Sequence, residues 1–72
     1  MDPTAALRDA EAGLDAFIAR NDIHQSLLDL REWLSHGGFA PHWAMYPRAT
    51  REFVALFGWR PSMPESFLPG AQ

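Results

Sequence analysis

A chain of 72 residues without a cysteine has room for one domain, and neither disulfides nor a thiolate-bound metal can supplement its small core. Its net charge is −3 and six arginines with no lysine carry all its fixed positive charge, which argues against the cationic surplus of a nonspecific nucleic-acid binder. No apolar run approaches the roughly 20 residues of a membrane-spanning helix, and Asp2 and Asp9 stand where a signal peptide has positive charge, so cytoplasmic residence is the expectation.

In chain order, Asp2-Pro3-Thr4 reads as a helix entrance, with Asp2 as cap and Pro3 at the first helical position. The spacing of Leu7, Ala10, Leu14, Phe17 and Ile18 predicts one apolar stripe on a helix over 3–20. Alanines at 5, 6, 10, 12, 16 and 19 favour the helix and allow a neighbour to approach closely, while Gly13 costs about 1 kcal/mol.

Continuing that stripe would put Asn21 and His24 in the apolar seam, whereas restarting after Asp22 gives Ile23, Leu27, Leu30 and Leu34. The expectation is therefore a break at Asn21-Asp22, with Asn21 left-handed and Asp22 capping a second helix from Ile23 to Ser35 or His36, Gln25 completing a capping box. So short a connection implies an antiparallel helical hairpin.

Gly37-Gly38 ends the second helix, Gly37 being the left-handed residue and Phe39 placed to fold back onto Trp33 or Leu34. Residues 39–46 have no period, and Pro41 and Pro47 discourage helix before them, so this stretch reads as an ordered loop pinned by Phe39 and Trp43. Pro47 then opens a third helix over 47–57, closed by Gly58, with Ala49, Phe53, Leu56, Phe57 and Val54 on its inner side and Thr50, Arg51 and Glu52 on its wet side. Residues 59–72 carry three prolines and no period, the signature of an extended arm. The fold class is thus all-α: a three-helix domain over 1–58, made of the hairpin and a short third helix, followed by an extended Pro-rich arm over 59–72.

Among the chemical candidates, His24, His36 and His42 lack cysteine companions and a metal-binding spacing, so no metal and no cofactor is expected. No lysine, cysteine nucleophile, Gly-x-Ser-x-Gly elbow or phosphate-cradling loop is present, and the expectation is a protein that is not an enzyme.

Charge and rings point elsewhere. Up to His36, seven acids face Arg8, Arg20 and Arg31, a balance of −4; from Gly37 onward Arg48, Arg51 and Arg60 face Glu52 and Glu65, a balance of +1. Seven of nine aromatics also follow the double glycine, more than a small interior needs. Arginine beside tryptophan or tyrosine is how protein hot spots and single-stranded nucleic-acid sites are built.

The reading is a small protein-binding module, an accessory subunit, adaptor or inhibitor, that docks onto a larger assembly or onto itself. Its anchors are expected at Trp43, Tyr46, Arg48, Arg51, Trp59, Arg60, Met63 and Phe67. The alternative is a nucleic-acid-binding regulator using Arg48 and Arg51 of the third helix. On this reading the arm is a separate docking element, and truncation after Gly58 leaves the helices standing.

Overall fold

The computed structural model of the chain describes residues 2–16 and 20–68, with the backbone alone at 16 and 20–22. Three helices and no strand occur among these residues: α1 (Pro3–Ala16), α2 (Arg20–Ser35) and α3 (Pro47–Phe57). Two single 3-10 turns, Trp43–Met45 and Glu65–Phe67, flank α3 in sequence. The all-α architecture read from periodicity is the one observed, with α1 and α2 paired as a hairpin.

Asp2 caps α1 as its position implies. One carboxylate oxygen, Oδ1, accepts from the backbone N–H of Thr4 at 3.0 Å and of Ala5 at 3.3 Å, satisfying two of the donors that a helix start leaves unpaired. Pro3, at the first helical position where no N–H is needed, is buried.

The break between α1 and α2 differs from expectation. Asn21 and Asp22 lie inside the first turn of α2, so neither a left-handed Asn21 nor an Asp22 cap forms, and the amide of Gln25 donates to Asp29 at 2.9 Å one turn on instead of closing a capping box. An acid in a first turn complements the helix dipole wherever the cap falls, which is why composition did not locate the start. Phe17 and Ile18, assigned to the first stripe, lie outside the described residues. The stripe of the second helix keeps its phase, because burial of Ile23, Leu27 and Leu30 sets it.

The exit from α2 is a Schellman turn. Gly38 N–H donates to the Trp33 carbonyl at 3.0 Å and Gly37 N–H to that of Leu34 at 3.1 Å, with Gly37 at φ +84°. Phe39 folds back as expected. Its ring meets that of Trp33 edge-on at 5.5 Å, and its carbonyl accepts from the indole N–H at 3.0 Å.

One core draws on every part of the described chain: Leu7 and Ala10 of α1; Ile23, Leu27 and Leu30 of α2; Trp43 of the first 3-10 turn; Ala49 and Phe53 of α3; and Met63 beyond it. Trp43 is 2% exposed and packs against Phe53, with ring centroids 5.2 Å apart. Thr50, placed on the wet side of α3 by pattern, is fully buried. Its hydroxyl lies 2.8 Å from the Trp43 carbonyl and 2.9 Å from that of Tyr46, so one O–H can serve both acceptors of the 3-10 turn below it.

The segment 59–68 does not stand away from the helices. Met63 is 4% exposed, the Trp43 indole N–H donates to the Ser62 hydroxyl at 3.3 Å, and that of Trp59 to the Pro64 carbonyl at 3.3 Å. Two prolines, at 61 and 64, are compatible with this course because a turn followed by a 3-10 turn asks for few backbone donors.

Candidate functional site

The eight expected anchors separate into inside and outside. Trp43 and Met63 are corrected: both are core side chains, buried under α3, because the interior between the hairpin and α3 is wide enough to take them. Tyr46 and Trp59 are half-buried and packed against that core, and Phe67 is half-buried in the second 3-10 turn. Arg48 lies exposed in an ion pair with Asp15 of α1. Arg51 is exposed, and among the described residues no acid pairs with it. Arg60 rests its guanidinium 5.9 Å from the centre of the Phe53 ring.

What sequence reasoning missed is the seam between α2 and α3. α1 lies along both of these helices, while α2 and α3 meet each other through side chains. At one end His24 Nε2 stands 3.6 Å from Glu52 Oε1. Two turns further on, Arg31 places its guanidinium 4.8 Å from the centre of the Phe57 ring. Leu28 lies four residues after His24 and three before Arg31, hence on the same face of α2; Leu56 lies four after Glu52, on the facing side of α3. Both are open to solvent, 39% for Leu28 and 41% for Leu56, so the seam is apolar along its middle and uncovered there.

Its far end is cationic. Phe57 meets Phe53 edge-on at 5.0 Å between centroids, so Arg31 and Arg60 each lie over one ring of the pair. Stacking on a ring face orients a guanidinium without consuming its hydrogen-bond donors. Among the described residues neither arginine has a carboxylate partner, and Arg60 Nε is buried with no acceptor. Beside it a cleft of about 260 Å³ is lined by Leu34, Arg60, Pro61 and Ser62. Leu34 is one helical turn beyond Arg31, which continues the seam into the cleft.

The side-chain donors of this end are the guanidinium edges and the Ser62 hydroxyl, which accepts from Trp43 and keeps its own proton to give. The periodicity of α2 could have exposed the seam, since His24, Leu28 and Arg31 form a second stripe beside the core one. Nothing in sequence set Arg60 beside Leu34.

The three histidines are dispersed: His24 faces Glu52, His36 continues the last turn of α2 with its N–H on Glu32, and His42 donates its backbone N–H to the Thr4 hydroxyl at 3.2 Å. Among the described residues no group of three or more metal-binding side chains converges, and no helix is long and apolar enough to cross a membrane. No family model, curated protein or solved structure matches this chain.

Proposed function

We propose that this chain is a small non-enzymatic protein-binding module, an accessory subunit, adaptor or inhibitor of a larger assembly, and that it docks through the seam between α2 and α3 together with the Arg60 end of that seam. The observation that carries this reading is the juxtaposition of two half-exposed leucines, Leu28 and Leu56, with two arginines that lie over rings and have no acid partner among the described residues. An apolar centre beside oriented arginines fits the anatomy of a protein interface, whose core is apolar and in which arginine is enriched. Trp59, packed beside this end, extends the surface; Trp43 and Met63 serve the fold.

The nucleic-acid alternative rested on Arg48 and Arg51. Arg48 is engaged by Asp15, which leaves Arg51 as the one cation of α3 without an acid partner among the described residues, and phosphate recognition draws on several. Protein docking is therefore the reading favoured.

The test is capture from the native cell with the full chain as bait, compared with a Leu28→Gln, Leu56→Gln double variant. A protein retained by the native chain and lost with the double variant supports docking through the seam. Retention indifferent to both leucines, or retention of nucleic acid released by moderate salt, overturns it.

A further inference from the structure

From the cleft at the end of the seam we infer the chemistry of the partner: an amphipathic helical segment that lays apolar side chains over Leu28 and Leu56 and places a glutamate or aspartate carboxylate in the cleft beside Arg60. The inference rests on the docking reading above and specifies what occupies the surface.

Charge complementarity selects a carboxylate. Arg31 and Arg60 are unpaired among the described residues, although the chain as a whole carries a surplus of acids. A guanidinium whose Nε–H is covered and has no acceptor carries a desolvation cost that an incoming anion removes. Carboxylate and guanidinium geometries match in a two-bond fork, and the Ser62 hydroxyl stands in the same cleft with a proton to donate. Seating the fork on Nε requires a rotation of the Arg60 side chain, because Nε is covered in the free chain. Arg31, exposed at the neighbouring turn, faces a second acid on the partner.

Geometry selects a helix. The exposed path from Leu28 to Leu34 follows α2 for nearly two turns, and a helix presents apolar residues at i and i+4 with an acid one turn beyond on the same face. An extended segment would turn alternate residues away from the seam.

The probe is a synthetic peptide of about 14 residues, the shortest length at which an isolated helix is marginally populated. It carries leucine at i and i+4 and glutamate at i+7 and i+8, and is compared with its glutamine counterpart against the full chain at low salt. The glutamate peptide is expected to bind about tenfold more tightly, the factor of a single charge-assisted hydrogen bond. It should also shift the NMR resonances of the Arg60 Nε–H and the Ser62 amide. Arg60→Gln and Arg31→Gln should each reduce the preference for glutamate, and Arg60→Lys should fail to restore it because an ammonium lacks the fork. Circular dichroism of each variant checks the fold; Arg31 is exposed, so its variant remains informative if that of Arg60 unfolds.

Equal affinity for the two peptides, or binding of neither, overturns the inference. So does concentration-dependent self-association abolished by Arg60→Gln, which would make a second copy the occupant, or displacement of the peptide by a single-stranded oligonucleotide. Loss of the inference on these grounds leaves the docking reading to its own test, since capture dependent on Leu28 and Leu56 does not require an acid.

Discussion

The Glu11 side chain of α1 accepts a hydrogen bond from the backbone N–H of Ala49 at 2.7 Å, across 38 residues of sequence. Ala49 is the third residue of α3, and Tyr46, in the capping position of that helix, supplies no side-chain cap. Glu11 therefore does from another helix what a serine or aspartate at the start of α3 would do locally, and its charge meets the positive end of the helix dipole. Glu11→Ala is predicted to lower stability by about 1–2 kcal/mol, the upper part of the capping range because the bond is partly buried. Glu11→Gln keeps an acceptor and should lose less. Asp15, one turn along, pairs with Arg48 in an exposed setting, and Asp15→Asn should change stability by only about 0.5 kcal/mol. Urea unfolding of the three variants checks the order; a larger loss at Asp15 would say that the ion pair, not the cap, fastens α3 to α1.

Gly37 and Gly38 are glycines for different reasons. Gly37 has φ +84° and open space around it, so Gly37→Ala meets only backbone strain, about 1–2 kcal/mol, and Gly37→Asn less. Gly38 has no such dihedral requirement, but a Cβ there would stand 2.3 Å from Cε2 and Nε1 of Trp33. Gly38→Ala must push the indole off its seat, breaking its bond to the Phe39 carbonyl and the edge-on contact with the Phe39 ring. The predicted loss is about 1–3 kcal/mol, the range of overpacked sites, with a change in tryptophan fluorescence that Gly37→Ala does not produce.

Helix content, the α2 stripe and the Gly37-Gly38 stop were legible in sequence because each depends on local periodicity or one dihedral. The start of α2 was not: Arg20, Asn21 and Asp22 are compatible with either side of a helix boundary, and tertiary burial of Ile23 and Leu27 fixes the phase without fixing the end. Trp43 and Met63 read as outward anchors because the C-terminal half carries more large side chains than a small interior needs, yet a loop can deliver a large side chain inward, and the space under α3 is uncountable from spacing. The candidate site was half legible. Arg60 was singled out by its aromatic neighbours, whereas Leu28, Leu56 and Arg31 acquire meaning only once α2 and α3 are side by side.

Thr50 ties α3 to the turn before it. Thr50→Val keeps shape and burial but removes the hydroxyl from the Trp43 and Tyr46 carbonyls, which keep their backbone donors at 3.2 Å and 3.0 Å, and a loss of about 0.5–1.5 kcal/mol is predicted. Thr50→Ser restores the O–H and forfeits one methyl group, about 1 kcal/mol. A serine variant less stable than the valine variant would show that packing, not hydrogen bonding, dominates at this position.

Truncation after Gly58 is now predicted to unfold the helices instead of sparing them. It removes Met63 from the core and the Ser62 hydroxyl from the Trp43 indole, opening the interior beside Phe53. Met63→Ala alone should cost about 2–5 kcal/mol, a large part of the stability of a domain this small. Circular dichroism of the truncated chain decides the point: native helix content would mean that residues 59–68 are carried by the domain without supporting it.

Arg60 sets folding against docking. Its covered Nε–H lacks an acceptor among the described residues, a defect of about 1–3 kcal/mol, while its place over Phe53 at 5.9 Å returns about 0.5–1 kcal/mol. Arg60→Met retains the apolar stem and removes both effects, so the larger one decides the sign: the variant should match or exceed the parent in stability, by about 1 kcal/mol. The same change deletes the fork that receives a carboxylate, so affinity for the glutamate peptide should fall as stability holds or rises. Thermal unfolding and peptide titration on one preparation measure the two together. A variant that loses stability would mean that the Arg60 guanidinium finds an acceptor, or a stronger hold on the rings, within its own chain, and would place the residue among those that serve the fold.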